Sequence, residues 1–284
     1  MTDSPILLSV EDGLARLTLN RPTRLNAFNA ELAHAWAEVT VAATSRDDVG
    51  AIVLDAAGPA FCAGGDVLDM ARTMGSAADI QELAGVINRG IRALTESSVP
   101  VVAAAHGTTA GGGLGILMCS DYAIIGADSR IGSLYANIGL TPDLSVSAQL
   151  AHAVGQRRAL QLVLQDRLLT AQEALDWGLV AEVVGGEGET STTADIAAAV
   201  KARADEVARF WLSHAYGAYG QAKRLVRSQP ARSFEEQLAE EARSIGAAFE
   251  TPDAKARVAA FAAASSRRPQ RTQTEKTEET EETS

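Results

Sequence analysis

The sequence predicts an α/β fold in which parallel strands are joined by helical crossovers. Short apolar runs, each long enough for one buried strand, alternate with longer segments whose apolar residues recur every three or four positions. Such alternation is typical of parallel sheets, because two parallel strands need a long connection that is usually a helix. Beyond residue 204 every segment has a helical pattern, which indicates a helical C-terminal region.

The individual elements follow from local signals. Residues 6–10 and 14–19 indicate an opening β-hairpin around Gly13. Asn29 is a candidate N-cap for a helix through Trp36, and Thr170 with Glu173 forms a capping box for another helix that ends at Gly178. The other predicted strands are 51–54, 101–105, 122–125 and 179–184, and the other predicted helices are 80–94, 144–154, 194–211, 215–227, 233–250 and 252–264.

We predict three parts in the chain. These are a core at 1–204, a helical region at 205–266 and a disordered tail at 267–284. Apart from Pro269 the tail has no apolar residue, and it carries five Glu and five Thr. Such a segment cannot bury enough surface to offset the entropy lost on ordering.

Composition excludes several classes of function. The 25 Lys and Arg against 36 Asp and Glu give a net charge of −11, which argues against a nucleic-acid partner. Two cysteines cannot build a disulfide framework, so a reducing, cytoplasmic setting is expected. No apolar run approaches the roughly 18 residues of a membrane helix, and residues 1–13 lack the order of a signal peptide.

Most common catalytic motifs are absent. The sequence contains no dinucleotide-binding glycine fingerprint, no P-loop, no serine nucleophile elbow and no zinc-binding H-E-x-x-H. The histidines, at positions 34, 106, 152 and 214, have no spacing suited to a shared ion, so no metal site is predicted.

Two glycine-rich segments, 59–66 and 106–113, each follow a predicted buried strand. A helix is expected to begin in each, and helix N-termini present free N–H groups. If two such groups converged on one carbonyl oxygen, they would form an oxyanion hole. The alternative is that the glycines only permit tight turns, and spacing alone does not distinguish the two interpretations.

A set of motifs in fixed order gives the chain a family resemblance from about residue 5 to 265. The motifs are Arg21-Pro-Thr-Arg-Leu-Asn-Ala27, Phe61-Cys-Ala-Gly-Gly-Asp66 with Met70, Gly111–Gly113, Ser120-Asp121, Ile138-Gly-Leu-Thr-Pro-Asp143 and Leu169–Val180. In this order they resemble the crotonase (enoyl-CoA hydratase/isomerase) superfamily. The resemblance implies a spiral of repeated ββα units, a C-terminal helical trimerisation region and acyl-CoA thioester substrates. It also implies a homotrimer or dimer of trimers, with no cofactor beyond the coenzyme A of the substrate.

The resemblance also implies site residues. The oxyanion donors correspond to the backbone N–H groups of Gly65 and Gly112. The residues that correspond to coenzyme A contacts are Arg24, Leu25, Ala63, Asp66, Val67 and Phe261. In hydratases of the family, a lysine three residues after this Phe also contacts the nucleotide end of coenzyme A. Its position holds Ala264 here, and Arg267 or Arg268 could substitute for the lysine.

The chain departs from hydratases at both catalytic glutamates. The first position holds Gly115 and the second holds Tyr135. Since glycine cannot act as a general base, the usual activation of water is not expected.

Asp143 is the carboxylate that remains. It matches the catalytic Asp of dienoyl-CoA isomerases, ring-1,2-epoxyphenylacetyl-CoA isomerases and 4-chlorobenzoyl-CoA dehalogenases, and the overall pattern resembles the epoxide-isomerase branch most. The implied activity is an enoyl-CoA isomerase in which Asp143 shifts a proton through a thioester enolate. The alternatives are hydrolytic or lyase chemistry with Asp143 as nucleophile or base, hydratase-like chemistry and a silent coenzyme A-binding scaffold.

Five residues near these motifs have a structural interpretation. Asp143 could be only the N-cap of helix 144–154, and Asp66 only the cap of its own helix. Tyr135 is interpreted first as pocket wall and second as a phenol that orients the acyl group. His106 and Cys62 are interpreted as structural residues, a satisfied buried histidine and a small buried hydrophobe.

Overall fold

The computed structural model describes residues 4–165, 167–185 and 192–266. The chain divides into two compact units between Ala231 and Arg232. The boundary predicted after residue 204 falls inside a helix, Thr193–Ser213, which packs on the sheet of the first unit. The predicted disordered tail, 267–284, lies outside the described residues.

The strands of the first unit form one large and one small sheet. They are β1 Ile6–Glu11, β2 Leu14–Leu19, β3 Ala51–Ala56, β4 Val101–Ala105, β5 Thr108–Ala110, β6 Tyr122–Gly126, β7 Arg130–Gly132, β8 Leu169–Thr170 and β9 Glu182–Val184. The large sheet has the order β1-β2-β3-β4-β6-β9, and every pair except the β1–β2 hairpin is parallel. The predicted hairpin and parallel α/β sheet are therefore confirmed.

The helices agree with most of the predicted segments. In the first unit they are α1 Ala30–Thr44, α2 Val67–Thr73, α3 Ala77–Glu96, α4 Gly112–Met118, α5 Val146–Val154, α6 Gln156–Val163, α7 Ala171–Asp176, α8 Thr193–Ser213 and α9 Tyr216–Ser228. The second unit contains α10 Phe234–Phe249 and α11 Pro252–Ser266. The Asn29 side chain caps α1, and Thr170 with Glu173 forms the predicted capping box of α7.

Two predicted elements are shorter than expected at their N-terminal ends. The strand predicted at 179–184 is reduced to β9, because the N–H of Leu179 bonds back to Ala174 at the end of α7. The helix predicted from 144 starts two residues later, because Leu144 and Ser145 both adopt left-handed backbone conformations.

A repeated ββα arrangement links the two sheets. Strand β4 joins the large sheet, β5 joins the small one, and α4 follows; β6 and β7 repeat the strand pair. The small sheet has the order β5-β7-β8, and Cys62 extends it by a parallel bridge to Thr109. Two successive turns of the chain, β4–β5 and β6–β7, thus each add a strand to both sheets, which agrees with the spiral implied by the family resemblance.

Helices cover both faces of the large sheet. Strands β3 and β4 are buried along their whole length. On one face Val53 and Val102 pack against the α8 residues Ile196 and Val200, and the opposite face packs against α1, α3 and α4. Burial on both faces holds β3 and β4 firmly, so the glycine-rich segments that follow them start from fixed positions.

The second unit exposes an apolar stripe along α10. Phe234, Leu238, Ile245 and Phe249 follow helical spacing on one side of this helix, and each is at least half exposed. Within the described part of the chain, no helix is both long and apolar enough to cross a membrane.

Candidate active site

The two glycine-rich segments lie side by side. The N–H of Phe61 donates to the carbonyl of His106 at 2.9 Å, and the N–H of Ala110 donates to the carbonyl of Cys62 at 3.0 Å. The parallel bridge between Cys62 and Thr109 continues this pairing. The two segments, whose relation spacing alone could not establish, are therefore neighbours in the fold.

Glycines make this close approach possible. Gly64 has a φ of +104°, and a Cβ there would lie 2.9 Å from the carbonyl oxygen of Ala110. A Cβ at Gly113 would overlap the carbonyl oxygen of Cys62. Any side chain at these positions would push the segments apart, so tight turns and close approach are both required here.

Gly65 and Gly112 carry backbone N–H groups that are available to a ligand. Gly112 is the first residue of α4, where an N–H has no partner inside the helix. Among the described residues, neither N–H donates to another backbone or side-chain group. Two unpaired amides on adjoining segments are what an oxyanion hole requires.

Tyr135 and Asp143 form a hydrogen-bonded pair next to these amides. The Tyr135 hydroxyl donates to Oδ1 of Asp143 at 2.6 Å. The same hydroxyl lies 3.8 Å from the position that a Cβ of Gly112 would occupy, so the pair borders the start of α4. Only 9% of Tyr135 is exposed, which places its ring in the wall of the site.

Burial and the phenol act in opposite directions on Asp143. Loss of water around the carboxylate raises the pKa of Asp143, although the residue as a whole is exposed, and the hydrogen bond from Tyr135 partly lowers it. Burial, reinforced by the nearby carboxylate, raises the pKa of Tyr135. The arrangement therefore pairs a carboxylate base with a neutral phenol that donates to it.

Asp143 does not cap α5, so that alternative is wrong for its side chain. The residue before α5 is Ser145, and no side chain caps the helix. Leu144 and Ser145 have φ values of 48° and 66°, which place Asp143 outside the capping position. Only the Asp143 carbonyl contacts the helix, by accepting the N–H of Val146 at 2.9 Å.

The position of the first hydratase glutamate is occupied by backbone. Gly115 is buried, and a Cβ at this position would overlap the carbonyl oxygen of Leu144. The left-handed turn at Leu144 therefore fills the space into which a glutamate side chain would start. No carboxylate could enter here unless this turn moved.

Arg24 and Asp66 form a bidentate ion pair at the rim of the site. The Arg24 Nη2 lies 2.6 Å from Oδ1 of Asp66, and its Nε lies 3.2 Å from Oδ2. The Arg24 guanidinium holds the pKa of the nearly buried Asp66 below its usual range. Asp66 also accepts the N–H of Asp69 and so caps α2, which means that its capping and its contact with Arg24 occur together.

The other predicted coenzyme A residues of the first unit lie on the same rim. The N–H of Ala63 donates to the carbonyl of Leu25 at 3.0 Å. Leu25 and Val67 expose 41% and 45% of their surface, so both are accessible to a ligand at this rim. The fold thus brings together two segments that are far apart in sequence, 24–25 and 63–67.

The residue that corresponds to the C-terminal coenzyme A contact belongs to the second unit. Phe261 lies on α11 of the second unit and is 77% exposed. Ala264 is exposed on the same helix. Arg267 and Arg268 lie outside the described residues, so the role of this region stays a prediction.

Cys62 has the surroundings of a structural residue, whereas the expected satisfied histidine is only partly confirmed, because among the described residues Nδ1 of the buried His106 has no hydrogen-bond partner. The His106 Nε2 lies 2.7 Å from the carbonyl oxygen of Gly58, and this assigns the ring proton to Nε2 because a carbonyl only accepts. Burial raises the pKa of Cys62 to about 12, so its thiol stays neutral. In the described ranges, no group of three or more His, Cys, Asp or Glu side chains could hold a metal ion.

Residues 9–270 match the sequence pattern of the enoyl-CoA hydratase/isomerase family. The chain is similar to the 1,2-epoxyphenylacetyl-CoA isomerase of Escherichia coli, with 34% identity over 68% of this chain and 74% of that protein. It is also similar to a protein named as an enoyl-CoA hydratase in Mycobacterium bovis, with 31% identity over 92% of this chain and 96% of that protein.

A solved structure shows the same fold. The enoyl-CoA hydratase/isomerase from Mycobacterium abscessus superposes with a TM-score of 0.81 over 91% of this chain and 96% of that chain, at 29% identity. The relatives thus include proteins named as isomerases and proteins named as hydratases.

Proposed function

Because the chain belongs to the enoyl-CoA hydratase/isomerase family, we propose that it shifts a double bond in an acyl-CoA thioester and does not add water to it. The observation that carries this proposal is the pair of changes at positions 115 and 135. One position is filled by backbone, and the other holds a phenol that donates to Asp143. Among the described residues of this part of the site, Asp143 is the carboxylate left to move a proton.

The proposed mechanism uses two sets of groups. The thioester oxygen lies between the N–H groups of Gly65 and Gly112, which stabilise the negative charge of an enolate. The Asp143 carboxylate takes a proton from one carbon of the acyl chain and returns it to another carbon, so the double bond moves. We expect no cofactor beyond the coenzyme A of the substrate, which the rim around Arg24 would hold.

A substrate panel tests this proposal. Crotonyl-CoA and a set of enoyl-CoA and ring-containing acyl-CoA substrates would be assayed for both hydration and double-bond migration. We expect negligible hydration and measurable migration on at least one substrate. Rapid hydration of crotonyl-CoA would instead indicate a hydratase. Covalent labelling of Asp143 during one turnover would indicate a nucleophilic enzyme, and no turnover at all would indicate a silent scaffold.

Replacing Gly115 by Glu is expected to give no hydratase and to lower stability. The new side chain would begin where the Leu144 carbonyl already lies, and overpacking of this kind typically costs about 1–3 kcal/mol. Urea unfolding and crotonyl-CoA hydration measure the two effects. The control is Gly85→Ala, at a helical glycine with open space around it. A stable Gly115→Glu protein that hydrates crotonyl-CoA would contradict this reading of the site.

We propose a homotrimer or a dimer of trimers, in a cytoplasmic setting that would keep the two buried cysteines reduced. The apolar stripe on α10 supports association, because four large side chains are exposed on one helix face. Sedimentation equilibrium at micromolar concentration is expected to give three or six chains. Deletion of 267–284 should leave this number and the melting temperature unchanged. A monomer would contradict the proposed assembly.

A further inference from the structure

Tyr135 lies between the start of α4 and Asp143, and we propose that its hydroxyl positions the Asp143 carboxylate for proton transfer. This inference rests on the proposed function, since it assigns a role to a second residue of the same site. A positioning role differs from two other roles of Tyr135. In one, the ring only forms part of the pocket wall; in the other, the phenol orients the acyl group directly.

The hydrogen bond itself excludes direct donation to the substrate while Asp143 is ionised. A phenol has a single hydrogen to donate. That hydrogen is directed to Oδ1 of Asp143 over 2.6 Å, a length typical of a hydroxyl bonded to a charged oxygen. Tyr135 therefore has no second hydrogen for a thioester oxygen and acts on the reaction through Asp143.

Both partners of this bond are attached to well-held backbone. The carbonyl of Tyr135 accepts the N–H of Leu140 at 3.1 Å, which closes the turn that follows it. On the other side, the Asp143 carbonyl is bonded to the first turn of α5, and Leu144 packs its backbone against Gly115. The backbone of Asp143 is thus fixed, and the bond from Tyr135 fixes the rotation of its carboxylate.

This geometry assigns different tasks to the two carboxylate oxygens. Oδ1 is held by the phenol, which leaves Oδ2 to take the proton of the substrate. As the carbon–hydrogen bond breaks, an oxygen–hydrogen bond forms at Oδ2 and the electron pair moves into the thioester enolate. The reverse transfer at another carbon regenerates the carboxylate, so no external acid or oxidant is needed.

Few other ionisable groups act on the pair. In the segment before α2, Cys62 faces Tyr135, but its pKa of about 12 keeps the thiol neutral. Asp66 in the same segment forms an ion pair with Arg24. Helix α4 has no ionisable side chain, and α5 carries only the exposed His152, which bonds to the Ala148 carbonyl. The pH dependence of the site therefore belongs to Asp143 and its phenol partner.

Tyr135→Phe keeps the ring and removes only the hydroxyl. We expect the plateau rate of isomerisation to fall about tenfold or more, because a carboxylate that rotates freely is misaligned for part of the time. The KM should stay within about threefold of wild type. The acid limb of the rate should move to higher pH, because the carboxylate loses a donor that favours its charged form.

Tyr122→Phe is the matched control. Its hydroxyl also donates to a carboxylate, Oε1 of Glu182 at 2.7 Å, but at strand β6 and away from the glycine-rich segments. This variant should keep the wild-type rate and pH profile. If Tyr135→Phe behaved in the same way while Asp143→Asn was inactive, the positioning role would be overturned and the proposed function would stand.

A measurement that needs no substrate tests the pair directly. The chain has four tyrosines, so labelling each ring with ¹³C at Cζ gives few NMR signals, and Tyr135→Phe identifies one of them. We expect the Tyr135 signal to shift as Asp143 ionises and Asp143→Asn to abolish the shift. A signal that does not titrate would overturn the inference. A titrating pair in a protein that isomerises no enoyl-CoA would overturn the proposed function instead.

Discussion

Asp143→Asn is expected to lower the isomerase rate by about 10² or more, the usual worth of general acid–base catalysis. Asparagine has the same size and can still accept the hydrogen bond of Tyr135, but it cannot take up a proton. The loss should therefore appear in kcat with little change in folding. Initial rates on a substrate that the wild type isomerises measure it. Asp48→Asn, at an exposed ion pair with Arg46, is the control and should keep the wild-type rate.

The pH profile of the wild type should identify the same residue. Loss of water around the carboxylate raises the pKa of Asp143, so the rate should fall as pH decreases through a range above that of an ordinary carboxyl. The Asn variant should lack this limb. A raised pKa in the folded state means that Asp143 contributes stability only at low pH, and that this contribution is lost as the carboxyl ionises. The Asn variant should thus be at least as stable as wild type at neutral pH.

Gly112→Pro is expected to lower kcat by roughly 10²–10³, since losing one oxyanion donor typically costs about 2.7–4 kcal/mol of transition-state stabilisation. Proline is tolerated at the first position of a helix, where Gly112 lies, because its missing N–H has no helical partner there. Circular dichroism and the melting temperature would verify the fold before the rates are compared.

Gly112→Ala shows the effect of adding a side chain at this position while the N–H is kept. A Cβ at this position would lie 2.8 Å from Cδ1 of Leu144, so both variants disturb that flexible side chain in the same way. Only the proline variant lacks the N–H. The difference between the two variants therefore measures the loss of the N–H together with the ring carbon that replaces its hydrogen. A folded Gly112→Pro protein as active as Gly112→Ala would remove this amide from the mechanism.

The fold was largely predictable because its elements carry local signals. The cap at Asn29, the capping box at Thr170 and the apolar runs of β3 and β4 each specify structure through nearby residues. Parallel pairing then followed from the alternation of strands and helices. The ββα spiral came from the family resemblance, because no local pattern specifies which strands join the small sheet.

The contacts at the candidate site could not be predicted from the sequence. The left-handed turn at Leu144 and Ser145 has no sequence signal, since neither residue type favours a positive φ. That turn moves the start of α5 and removes Asp143 from the capping position. It also fills the space beside Gly115. The bond from Tyr135 to Asp143 depends on both segments and therefore could not be read from spacing alone.

The most direct test of the central claim is the product formed from a 3-enoyl-CoA in D₂O, followed by NMR. The claim is that one carboxylate, Asp143, moves a proton along the acyl chain in a site that does not activate water. We expect the double bond to migrate with wild-type enzyme, no hydroxyl group to appear on the acyl chain, and Asp143→Asn to stop the migration. A 3-hydroxyacyl-CoA product, or unchanged migration with Asp143→Asn, would contradict it.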